Sequence, residues 1–149
     1  MSFTVDVQYM YKNRRTPGEK QIHEWAEAVL GRFRDTAEVT IRIVDEEESR
    51  HLNETWRKAK GATNVLSFPV GGATPPGSDL LGDIVICAPV AKREAKQQHK
   101  SFDAHFAHMV VHGMLHLLGY DHTTDQDTAL MESIETDILE NLGYGNPYL

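Results

Sequence analysis

Several things are scarce in this chain of 149 residues. Cys87 is the only cysteine, so no disulfide can form within the chain, and a reducing cytoplasm is the expected compartment. No stretch approaches the roughly 18 apolar residues of a membrane span, and MSFTVDVQYMYKNRR alternates where a signal peptide would run apolar. Positive charge is missing from the last third. All fifteen Lys and Arg lie in the first 100 residues, beside fourteen Asp and Glu; the last 49 residues hold eight acidic groups and no Lys or Arg. The net charge of −7 excludes a chain coated in positive potential. Any nucleic-acid surface must therefore come from the first two-thirds.

What is present reads as an ordinary globule, 40% hydrophobic and 25% charged. FTVDVQYM (3–10) alternates as a half-buried strand, and Pro17 opens a helical stretch to about Phe33 with Ile22, Trp25, Ala26, Val29 and Phe33 on one face. EVTIRIVD (38–45) is a second strand with Val39, Ile41 and Ile43 inward. The helix EEESRHLNETWRKA (46–59) follows, acidic in its first turn as the helix dipole favours. NVLSFPV (64–70) is a third strand, whose Pro69 marks an edge or an end. After a Gly/Pro loop (71–79), LLGDIVICA (80–88) is a fourth strand. Pro89 starts a helical region reaching about Gly119, broken near His99 to Asp103. Thr124 caps a last helix, 123–143, with Leu130, Ile134 and Ile138 as its stripe. The order predicts one α+β domain over 1–149, a small mixed sheet of about four strands packed with helices.

HGMLHLLGYDH (112–122) carries the chemistry. Four residues of helix turn the chain about 400°, so His112 and His116 lie one turn apart on one face. Gly119 suits a left-handed helix end, after which Tyr120 and Asp121 can bring His122 back towards the same point. Three imidazoles then reach one ion at about 2.0–2.1 Å and leave a coordination position open, as in catalytic sites. Burying three unpaired imidazoles beside Met114, Leu115, Leu117 and Leu118 would be costly without a common partner. His105 and His108 fall on roughly the same face. They extend the site along a groove, support it from outside the ligand set or, for His105 at least equally, form a solvent-facing stripe. The spacing is also that of zinc proteases, whose general base is a Glu directly after the first His; here that residue is Gly113. Zinc can partly replace the base, because it lowers the pKa of its water to about 7. Gly113 thus undercuts the protease reaction, and it becomes a clue to substrate class only together with the family that this segment resembles.

HGMLHLLGYDH after FAHMVV resembles the signature of the YbeY-like family of bacterial metal-dependent endoribonucleases. LNETWRKAKGATNVLSFP (52–69) and LGDIVICAPV (81–90) resemble its other two blocks in the same order, so the likeness covers roughly 40–143. The chain departs from the pattern at Lys58-Ala59-Lys60-Gly61, where the family usually has an acidic residue, and no role is carried over for that acid. The resemblance implies single-strand-specific cleavage of RNA, with roles in ribosomal RNA 3′-end maturation and ribosome quality control. It implies one metal ion, usually zinc, held by His112, His116 and His122, and a functional arginine at Arg57. Arginine's planar, always charged fork pairs bidentately with phosphate oxygens; the plainer reading of Arg57 is a surface ion pair with Glu54 or Asp45.

Smaller expectations accompany these. Lys92, Lys96 and Lys100, with Arg93, form a basic stripe that either tracks an RNA backbone or is an ordinary solvated face. Asp121 either orients a metal-binding His or shapes the turn, and Asp83 is either a site residue or a loop-proximal hydrogen-bonding one. Ser67 could face the cleft. The reading is an endoribonuclease in which metal-activated water or the RNA 2′-hydroxyl attacks the phosphodiester and Arg57 meets the developing charge. Its partners are ribosomal RNA and the small ribosomal subunit or its proteins, with no membrane. Two rivals are a metallopeptidase and a noncatalytic, metal-stabilised ribosome-assembly factor.

Overall fold

The computed structural model describes residues 2–70 and 78–149. Most of the Gly/Pro loop expected at 71–79 lies outside the described residues. The elements are β1 (Ser2–Tyr9), α1 (Glu19–Phe33), β2 (Thr36–Val44), α2 (Glu46–Trp56), β3 (Val65–Pro69), β4 (Leu80–Cys87), α3 (Ala88–Gln97), α4 (Phe102–Leu117) and α5 (Asp125–Asn141). Type and order agree with the sequence reading throughout, and the fold is α+β. The four strands form one mixed sheet in the order β1-β2-β4-β3. β1 and β4 run parallel to β2 on either side, and β3 runs antiparallel to β4 at the edge. Pro69 thus ends an edge strand, where a missing N–H costs least.

Alternation sorts the sheet's two faces. Val5, Val7, Val39, Ile41, Ile43, Ile84 and Ile86 point into the main core, together with Trp25, Phe106, Met114 and Leu115 from the helices. On the other face Val44, Leu66, Val85, Cys87 and Val90 pack with Leu52 of α2 in a smaller cluster. Trp25 anchors α1 to α4 and the C-terminal segment, with its ring 6.2 Å from Phe106 and 6.1 Å from Tyr144.

Local chemistry sets the ends that matter for the site. Asp45 caps α2 by accepting from Glu48 N at 2.9 Å. α2 stops at Trp56, three residues earlier than expected, because Lys58 takes a left-handed backbone (φ 56°) that an α-helix cannot continue through. Ser101 caps α4 and Thr124 caps α5, each accepting at 3.0 Å from the N–H three residues on. On α5 the expected stripe is rotated. Met131, Glu135, Ile138 and Leu139 are buried, Ile134 is only partly so, and Leu130 is 54% exposed. A carboxylate at the centre of a buried face disguised that face in the sequence.

Candidate metal centre

α4 ends as its sequence requires. Gly119 is left-handed (φ 101°), Gly119 N donates to His116 O at 3.1 Å, and Tyr120 N donates to Leu115 O at 3.0 Å. These two bonds form a Schellman ending that satisfies the last carbonyls and reverses the chain. His122 is thereby brought back beside His112 and His116. A nitrogen from each of the three rings lies within 4.8 Å of the others, and the Nε2 atoms of His112 and His116 are 3.1 Å apart. Two ligands of one tetrahedral ion at zinc–nitrogen length would stand about 3.3 Å apart. The residues present therefore fit a divalent ion of zinc type.

The protonation states suit ligation. Burial pushes the His116 imidazole below its ordinary value, and the neighbouring His112 and His122 push the same way, leaving the neutral ring with a lone pair to give. The Glu135 carboxylate lies 3.0 Å from His112 Nδ1, 2.9 Å from His108 Nε2 and 2.6 Å from the Tyr148 hydroxyl. Nδ1–H of His112 donates to it, so Nε2 is left as the metal-facing nitrogen. Burial alone would raise Glu135, but these three hydrogen bonds prevail and hold it at about 2. Burial and the Glu135 charge drive Tyr148 upward, so its hydroxyl stays a donor.

The imidazoles form one side of a cleft of about 410 Å³, and Arg57, Asn64 and residues Val65 to Ser67 and Pro69 of β3 form the other. Arg57 follows directly on α2. Its guanidinium lies 5.3 Å above the Phe68 ring and donates to the Ser67 carbonyl on the open edge of β3. The ion pairs considered for Arg57 are not formed: Glu54 meets Arg50 at 3.4 Å and Gly61 N at 3.1 Å, while Asp45 caps its helix.

Ser67 lines the cleft and ties β3 to α4 through a 3.1 Å hydrogen bond to Gly113 O. Gly113 itself has a packing explanation. A Cβ there would stand 2.9 Å from Ile84 Cγ2 and 3.3 Å from Val65 Cγ2, so this side of α4 faces the sheet and has no room for a carboxylate. Sequence reasoning took Gly113 as a clue to substrate class; its immediate cause is steric.

For the remaining residues the structure decides between the alternatives. His105 is not solvent-facing but 3% exposed, with Nε2 2.9 Å from Glu94, which in turn receives the Asn64 amide at 3.0 Å. Asp121 shapes the turn, accepting from Thr123, and Glu135 makes the carboxylate contact to a candidate ligand. Asp83 is exposed, outside the cleft, in a hollow on the sheet's other face. The basic stripe is dispersed: Arg93 pairs with Glu46, Lys100 donates to Pro147 O, and none of its members lines the cleft. Glu135, Asn64 and Tyr148 were missed. Only Glu135 left a signal, an acid at helical spacing from Met131, Ile138 and Leu139.

Comparison with known proteins concerns the fold and the family. The solution structure of TM1509 from Thermotoga maritima matches with a TM-score of 0.63 at 24% identity, over 91% of this chain and 88% of that one, a likeness of fold. The family model described as Endoribonuclease YbeY matches residues 8–143. The chain belongs to the YbeY endoribonuclease family.

Proposed function

We propose that this chain is a metal-dependent, single-strand-specific endoribonuclease of the cytoplasm, acting in ribosomal RNA processing and ribosome quality control. The observation that carries this reading is one cleft with three converging imidazoles on one side and Arg57, free of any carboxylate partner among the described residues, on the other. His112, His116 and His122 hold the ion, with Glu135 fixing the tautomer of His112. A zinc-like ion supplies Lewis acidity and a water ionised near neutral pH. Arg57 binds the phosphate and stabilises charge that builds on its oxygens, while its bond to Ser67 O and its stacking on Phe68 hold the fork in place. The substrate is ribosomal RNA, presented with the small ribosomal subunit or its proteins.

A peptidase reading is disfavoured by Gly113, since the position of the usual base faces Ile84. The deciding experiment combines metal analysis of purified protein with cleavage of a single-stranded RNA by wild type, Arg57→Ala and His116→Ala. Metal in wild type, and cleavage lost in both variants, is the expected result. A fully folded, metal-free wild type would overturn it. End-group analysis then separates the two nucleophiles, because a 2′,3′-cyclic phosphate excludes direct attack by water as the first step.

A further inference from the structure

We infer that Trp56 is a stacking shelf for an unpaired RNA base, placed next to the phosphate held by Arg57, and that this shelf selects single strands. The inference rests on the nuclease reading above and adds a surface to it. Trp56 is 66% exposed, whereas Trp25 is 2% exposed and belongs to the core. The exposed indole is not isolated: it lines one hollow with Phe68, Leu52 and Val85, and a contiguous apolar surface of this kind marks an interaction site.

Its surroundings indicate which partner. Residues 55–69 contain no Asp or Glu, in a chain with 22 of them, and contain Arg57, Lys58 and Lys60, all exposed. A cationic stretch around an aromatic face is the pattern that follows a nucleic-acid backbone while stacking its bases. The stretch is also held in shape. Asn53 Nδ2 donates to Gly61 O at 2.9 Å, Gly61 N donates to Glu54 at 3.1 Å, and Lys58 sits in its left-handed conformation between them.

Arg57 joins this surface to the metal cleft. It lines the cleft, and its guanidinium lies over Phe68. Phe68, Trp56, Leu52 and Val85 wall a separate hollow of about 670 Å³ on the outer face of the sheet. Alternation along β3 turns Ser67 to the cleft and Phe68 to the hollow, so only the edge strand divides them. An RNA crossing that edge places a phosphate at Arg57 and a neighbouring base against Trp56. In a duplex the base's faces are already stacked, and the shelf has nothing to receive. The hollow also holds Asp83 and the Arg42–Glu48 pair at 2.6 Å. A base edge can hydrogen-bond to Asp83, which has no side-chain partner among the described residues, whereas an apolar protein side chain would bury that carboxylate unpaired, which favours RNA over an apolar protein partner.

Tryptophan fluorescence tests this directly, because Trp56 is the exposed indole. Purified, metal-loaded protein is titrated with a single-stranded 2′-O-methyl oligoribonucleotide of about six nucleotides, within the range of known stacking sites. Saturable quenching is expected, with no effect from the same sequence as a duplex. Trp56→Ala should weaken binding roughly ten-fold, and Trp56→Tyr should restore most of it. Emission that stays unmoved at saturation, or wild-type affinity in Trp56→Ala, overturns the shelf. So does a Trp56→Ala variant that loses a ribosomal-protein contact but keeps its RNA affinity. Failure of the nuclease reading looks different. Quenching without cleavage supports the shelf and refutes the nuclease; cleavage that needs Arg57 and His116 but is unchanged in KM by Trp56→Ala does the reverse.

Discussion

One wall of the cleft is made by α4 and the turn after it, the other by the end of α2 and β3. The first belongs to the last 49 residues, which carry no Lys or Arg, and it is organised by a buried carboxylate that two histidines and a tyrosine hold ionised. The second belongs to a stretch without acids and carries its charges on an exposed loop after a helix. Converging imidazoles and an anchored carboxylate suit a cation; cations without a carboxylate partner among the described residues, beside an aromatic face, suit a polyanion. Separating the two in sequence lets each set of charges be tuned without cancelling the other.

The largest effect should come from removing one element of each wall. His116→Ala should lose bound metal and cleavage together. Arg57→Ala should keep the metal, read by elemental analysis, and lose roughly 10²–10³ in kcat/KM, with Arg57→Lys recovering only part. Equal metal loss in both variants would erase the distinction between the walls. Next in size is the seam that joins them. Gly113→Ala forces a Cβ to within 2.9 Å of Ile84 and should cost about 1–3 kcal/mol in a denaturation experiment. Wild-type stability would show that α4 can shift away from the sheet.

Glu135→Gln keeps the shape of the metal wall but removes its charge. Metal affinity, measured by chelator competition, should fall about 10–100-fold while the fold melts normally. An unchanged affinity would separate Glu135 from the ligands. The smallest effect concerns pH. Burial holds His105 below its ordinary value, the contact with Glu94 only partly opposing this. The unfolded chain therefore takes up this proton first. The contribution of neutral His105 is fully present above about pH 6.5 and is lost as pH falls through the lower folded value. Stability curves of wild type and His105→Gln should converge towards acid; parallel curves would remove His105 from the account.

Much of this was legible in the chain. Period-two and helical patterns, a β-branched run at 80–88 and Pro89 identified the elements, because each buries apolar residues on one face of the sheet or the other, and the ending at Gly119 follows from its own residues. The three candidate metal histidines could be grouped because they lie within eleven residues, where helix geometry and one turn decide the distances. Glu135, 13 residues beyond His122, could not be assigned to them, nor could Tyr148, since neither distance is local. For the basic stripe Lys92–Lys100 the spacing left an RNA track and an ordinary solvated face both open, and Glu46 and Pro147 O, remote in sequence, decide for the latter by claiming two of its charges.

By itself, then, the sequence determined the element order, the α4 ending and the local cluster of three histidines, all governed by interactions within a few residues. Only the tertiary structure decided that Arg57 faces that cluster, that Glu135 orients His112, and that no side chain fits at Gly113. Those outcomes depend on how α2, β3, α4 and α5 pack, and packing brings together atoms whose separation along the chain carries no periodic trace.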